Sequence, residues 1–151
     1  ELIEYQISNS IEAQLGNSIR TYLEKLLKQI CSNLEVRTVF RFNDQNERRM
    51  CPELLSDLKS TIERKSTSLK VQVPIIERVA GSTTLGNLLS HDNHTSPKIG
   101  DLNAFWDDVK IIEGLFTCPE KGCNRLISMK NYDSVTKQVR CGCGKLSYDW
   151  K

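Results

Sequence analysis

The sequence predicts a mainly α-helical protein: a four-helix bundle with a long first helix, plus a small C-terminal β module. Three observations carry this. Apolar side chains recur every three or four positions through residues 3 to 34, the period of one helix face. Prolines and acidic residues open three further helical stretches. Four of the six cysteines fall as two close pairs between residues 118 and 143.

The first helix carries Ile3, Ile7, Ile11, Leu15, Ile19, Leu23, Leu26, Leu27, Ile30 and Leu34. The spacing predicts one continuous helix. Its stripe is narrow over residues 1–14, as in the end of a coiled-coil stalk. It widens in "IRTYLEKLLKQI", which should face a globular core over residues 15–116. Gly16 weakens the junction between the two halves. "RFNDQNERR" reads as a charged loop. Pro52 opens the second helix, through about Arg64, with Leu54, Leu55, Leu58 and Ile62 inward. Pro74 opens the third, interrupted near Gly81 and ending at His91. Asp101 is the expected N-cap of the fourth, with Leu102, Phe105, Val109, Ile112 and Leu115 or Phe116 packing.

Residues 117–151 form the last unit. Cys118 and Cys123 read C-x4-C, and Cys141 and Cys143 read C-x-C, with 17 residues between the pairs. Glycines flank the thiols and permit tight turns that aim two sulfurs at one ion. "LISMKNYDSVTKQVR" reads as two short strands around an Asn/Asp/Ser turn. This is the layout of a zinc ribbon, with four thiolates around one structural zinc and no open coordination position. A module so small has little core of its own, so zinc supplies much of its folding free energy. On this reading ribbon and bundle have separate cores. Two disulfides are the alternative, which a cytoplasmic setting disfavours. Cys31 and Cys51 stand alone as ordinary semi-buried thiols.

Charge is uneven. Seven Lys and Arg face three acids in residues 117–151, giving +4, while residues 1–116 carry −2. A basic module on a slightly acidic body suits a polyanion or an acidic partner, and equally a plain solvated face. No apolar run is long enough to span a membrane. No signal-peptide pattern is present, so the expected location is the cytoplasm. The chain opens on Glu1 rather than Met, which predicts a piece of a longer polypeptide.

"IRTYLEKLLKQI", "PELLSDLKSTI" and "LGNLLSH" together resemble the HEPN superfamily of four-helix nucleic-acid-processing domains, over roughly residues 15–116. The likeness points to the C-terminal region of coiled-coil, ABC/SMC-like ATPases of bacterial antiphage defence, in their anticodon-nuclease branch. It implies an RNase effector that acts on RNA such as tRNA, with Arg20, Glu24 and His91 as catalytic residues. The implied partners are the ATPase portion of the same chain or a partner subunit, RNA, and a second copy in a homodimer. The common HEPN motif, an Arg followed shortly by His, is absent, because Thr84, Leu85 and Gly86 stand where that Arg should be.

The chemistry can be stated from the residues themselves. Transesterification of RNA requires a base for the 2′-hydroxyl, an acid for the departing 5′-oxygen and a cation for the phosphorane. A histidine's reference pKa lies near neutral, so His91 suits base or acid. Arg20 suits the phosphate, and Glu24, one turn later, suits orienting either group. Asn87 can position His91 or touch substrate, and no metal is needed. The same residues have simpler roles. Arg20 and Glu24 form a common i, i+4 surface pair. His91 can cap a helix. His94 reads as a surface residue. A catalytically inactive docking module, or nucleic-acid binding by the basic ribbon, are the competing functions.

Overall fold

The computed structural model describes residues 1–8, 12–39, 50–90 and 99–151. The chain is mainly helical with a small sheet at its C-terminal end. The helices are α1 (Leu2–Ser8), α2 (Glu12–Asn33), α3 (Cys51–Lys65), α4 (Thr67–Lys70), α5 (Val73–Ser90) and α6 (Ile99–Phe116). The strands are β1 (Ser128–Asp133), β2 (Gln138–Arg140) and β3 (Ser147–Asp149).

The amphipathic stripe of α2 is the spine. Leu15, Ile19, Leu23, Leu27 and Ile30 are at most 1 % exposed, and α2 touches α1, α3, α5, α6 and β1. Gly16 lies inside α2 without breaking it. α3 runs in the same sense beside it: the Cys51 thiol meets the Arg20 carbonyl at 3.6 Å, and the Cys31 thiol meets the Leu54 carbonyl at 3.9 Å. Cys31 and Cys51 are both buried, more deeply than expected. Burial pushes their thiols up to about 12 and about 11, so they stay protonated and unreactive at neutral pH.

The single helix expected over residues 3–34 is instead two. α1 does not extend α2 as a stalk; it packs against it. The reason lies in α1's inner face, where Ile3 and Gln6 are buried and Glu4 accepts a hydrogen bond from the Trp106 indole at 3.2 Å. Trp106 in turn meets Tyr22 edge-on, with ring centroids 5.1 Å apart, and the Tyr22 hydroxyl donates to Glu113. A narrow apolar stripe is compatible with a coiled-coil seam or with a short helix on a body, and its period does not distinguish them.

Two other boundaries also differ. α5 runs through Gly81 without a break, since one glycine costs a helix only about 1 kcal/mol. α6 begins at Ile99, so Asp101 sits in its first turn rather than capping it, where its carboxylate still favours the positive helix end. Ion pairs lace the outer helices: Lys59 to Glu77 at 2.7 Å, and Arg78 to Asp108 through two bonds of 2.9 and 2.8 Å. The four-residue α4 and the third strand were not anticipated.

The sheet is antiparallel in the order β1-β2-β3. A bulge lies between the Ser128–Arg140 and Asp133–Gln138 pairings of β1 with β2. The Asp133 carboxylate accepts from the amides of Val135 and Thr136 at 2.9 and 3.2 Å, closing the expected hairpin turn. The sheet does not have a separate core. Phe116, Cys118, Ile127, Val139, Cys141 and Trp150 belong to the same buried cluster as the helix residues.

Candidate metal centre

Cys118, Cys123, Cys141 and Cys143 converge at the C-terminal end of α6. Their sulfurs all lie within 4.8 Å of one another, and the Cys118–Cys143 and Cys141–Cys143 separations are both 3.5 Å. Four sulfurs at tetrahedral corners, each about 2.3 Å from one ion, would stand about 3.8 Å apart. The donor set and its spacing therefore fit a closed four-thiolate site for one metal ion. All six cysteines are free thiols.

Each pair is shaped by its own turn. The Cys118 amide donates to the Arg125 carbonyl at 2.9 Å, and the amides of Cys123 and Asn124 fold back onto the Glu120 carbonyl at 3.0 and 3.1 Å. Asn124 takes a positive φ of 49° to close this turn, a conformation asparagine tolerates. In the second pair the Cys141 amide bonds the Leu146 carbonyl at 3.0 Å, and the Gly144 amide bonds the Cys141 carbonyl at 3.1 Å. Gly144 sits at φ 80°, where a side chain would be strained. Burial alone would raise the Cys141 thiol. The Leu146 amide, 3.4 Å from its sulfur, and the neighbouring thiols outweigh that and bring it down to about 6.

The module is clamped to the helical body by residues that no local motif marks. The Asp149 carboxylate accepts from the Thr67 amide at 2.7 Å, the Ser68 amide at 2.9 Å, the Ser66 hydroxyl at 3.1 Å and the Ser68 hydroxyl. The Ser66 hydroxyl meanwhile accepts from the Leu69 amide at 3.1 Å. The free amides of α4's first turn are thus satisfied, two of them by a residue about eighty positions away. The Tyr148 hydroxyl donates to the Leu115 carbonyl at 2.6 Å, and the Lys151 amide donates to the Lys65 carbonyl at 2.8 Å. Nothing in "SYDW" marks a strand or names the partners of Asp149.

The Ser68 hydroxyl first, then the Ser68 and Thr67 amides and the Ser66 hydroxyl, outweigh the cost of burial and hold the Asp149 carboxyl well below the usual carboxylate range. A depressed carboxyl contributes stability that is complete above its unfolded value, about 3.9, and is lost as pH falls through the folded one. Asp149→Asn is therefore expected to cost about 2 kcal/mol at pH 7 and to flatten the acid limb of the stability curve below about pH 4. Urea titrations of both proteins from neutral to acid pH check this. Equal midpoints at pH 7 would mean the clamp is not a stabilising contact.

Of the residues expected to act on RNA, Arg20 and Glu24 do come together. Arg20 Nη1 lies 3.7 Å from Glu24 Oε2, on partly exposed side chains beside the first turn of α3. Arg20 Nη2 also donates to Asn17 at 2.9 Å, and Lys28 bonds the other Glu24 oxygen at 3.0 Å. Arg20 Nε is buried without a partner among the described residues. His91 and His94 lie outside the described residues, and Asn87 lies in α5 with its side chain outside them. Among the described residues no helix is long and apolar enough to cross a membrane.

These features define a class: a helical body bearing a clamped four-cysteine module that can hold a metal ion. No family model, curated protein or solved structure matches the chain.

Proposed function

We propose that this chain is a zinc-stapled docking module. A HEPN-like four-helix body carries a ribbon held by one zinc on Cys118, Cys123, Cys141 and Cys143. Together they would present a rigid surface to the ATPase portion of the same polypeptide or to a partner subunit. The observation that carries the reading is the closed set of four sulfurs on a module fastened to the body through Asp149. Such a site has no open position for substrate, so its role is structural. The thiolate-only donor set and its tetrahedral spacing favour zinc over harder cations. Elemental analysis of protein purified without chelator should give one zinc per chain, and cobalt substitution should give the spectrum of a tetrahedral four-thiolate site. Full zinc retention in a Cys118→Ser, Cys141→Ser double variant would refute the assignment.

A second reading is favoured by one observation, the Arg20–Glu24 approach of 3.7 Å on a partly exposed face. On this reading the body is a metal-independent endoribonuclease for RNA such as tRNA. Arg20 would hold the scissile phosphate, Glu24 would orient it, and His91 would move the proton from the 2′-hydroxyl or to the 5′-oxygen. Cleavage in EDTA that leaves a 2′,3′-cyclic phosphate, lost in His91→Ala and kept in His94→Ala, would support it. Unchanged cleavage in His91→Ala would end it.

A further inference from the structure

The cations of the C-terminal module are not equally engaged. Arg140 pairs with Asp133 at 3.5 Å and Lys145 pairs with Glu120 at 3.1 Å. Lys121, Arg125, Lys130 and Lys137 have no carboxylate partner among the described residues. Two of these four flank the second cysteine turn. On one side Lys130, Tyr132 and Arg140 line a concavity of about 350 Å³ that reaches Gly142, Cys143 and Gly144. On the other, Arg125 lines one of about 200 Å³ that also reaches Gly142 and Cys143. The two share Gly142 and Cys143 of that turn. The Arg125 side chain lies against Gly142: a Cβ there would meet its guanidinium at 3.6 Å, an ordinary van der Waals contact.

We propose that this strip, from Arg125 across Gly142 and Cys143 to Lys130, binds the phosphodiester backbone of a nucleic acid. It deepens the docking-module reading and rests on it, because the zinc-held turn sets the spacing of the two cations. The phosphates would lie against Arg125 and Lys130. Tyr132 is half-buried and fixed by its hydroxyl, which donates to the Trp150 carbonyl at 3.2 Å. A fixed aromatic ring beside cations suits a base next to its phosphate, which an acidic peptide does not offer. The charge balance permits it. Side chains give the module +4, and four thiolates around a divalent ion take away two charges, leaving the module cationic.

The test uses the full zinc-loaded chain and fluorescence anisotropy with a labelled 20-nucleotide single-stranded RNA, the same DNA sequence, and a duplex. Binding should weaken as salt rises, by about 0.7 in log K per log salt for each phosphate held on a single strand. Arg125→Glu with Lys130→Glu should weaken binding about tenfold or more and flatten that slope by about one to two contacts. Lys25→Glu, on α2, should change neither. Comparison of the RNA, DNA and duplex arms identifies the nucleic acid. Equal binding by the double variant, or polyglutamate competing as well as RNA, would overturn the proposal. One zinc per chain with no nucleic-acid binding would overturn this inference alone; no zinc in the wild-type chain would overturn the docking-module reading beneath it.

Discussion

Stripping the proposed zinc, or replacing Cys118 and Cys141 by serine, is expected to destabilise the whole chain and not just its last thirty-five residues. Read from sequence, the ribbon should melt alone and leave the helices intact. The packing gives another result. Ile127, Val139 and Trp150 are at most 3 % exposed and share one buried cluster with Phe116 and the stripe of α2. Asp149 closes the first turn of α4, and Tyr148 holds the end of α6. A loosened ribbon uncovers those surfaces. The expected loss is roughly 3 kcal/mol or more, near 10 °C in melting temperature for a chain of this length. Tryptophan emission separates the two outcomes. Trp150 should become exposed and shift to the red in the metal-free protein, and a Trp106→Phe background makes that signal its own. An unshifted spectrum and an unchanged transition would show that the module holds its shape without metal.

Leu27→Asp is the second large effect. Leu27 is completely buried on the spine of the bundle, and α2 touches α1, α3, α5, α6 and β1. A carboxylate there has no partner and no water. It should cost roughly 3 kcal/mol or more, enough to leave much of the chain unfolded or insoluble. Leu27→Met keeps the volume and should cost less than about 1.5 kcal/mol. Denaturant titration of both variants separates lost packing from buried charge. A soluble Leu27→Asp protein with an unchanged midpoint would mean that the stripe of α2 faces elsewhere.

Local pattern was enough for the features that local physics controls. The 3.6-residue period placed Leu23, Leu27 and Ile30 in the core, and they are there. Pro52 opens α3 as its fixed φ allows. The four cysteines, each pair brought together by a short turn, meet as their spacing implied. The cluster is legible because its four cysteines are written in two short stretches. Arg20 and Glu24 share a helix face for the same reason of spacing.

The sequence by itself determined the helical class, the buried stripe of α2 and which four sulfurs come together. Each of these depends on residues a few positions apart. Only the tertiary structure decided that α1 leaves the line of α2 and packs against the body, since that choice turns on Glu4 meeting Trp106 about a hundred residues away. Only it decided that the cysteine module shares the bundle's core and that Asp149 caps a helix about eighty residues before it. A carboxylate takes whichever amides the fold brings within 3 Å. Long-range partners of that kind leave no period and no spacing in the chain, because they are selected by packing after the local elements have formed.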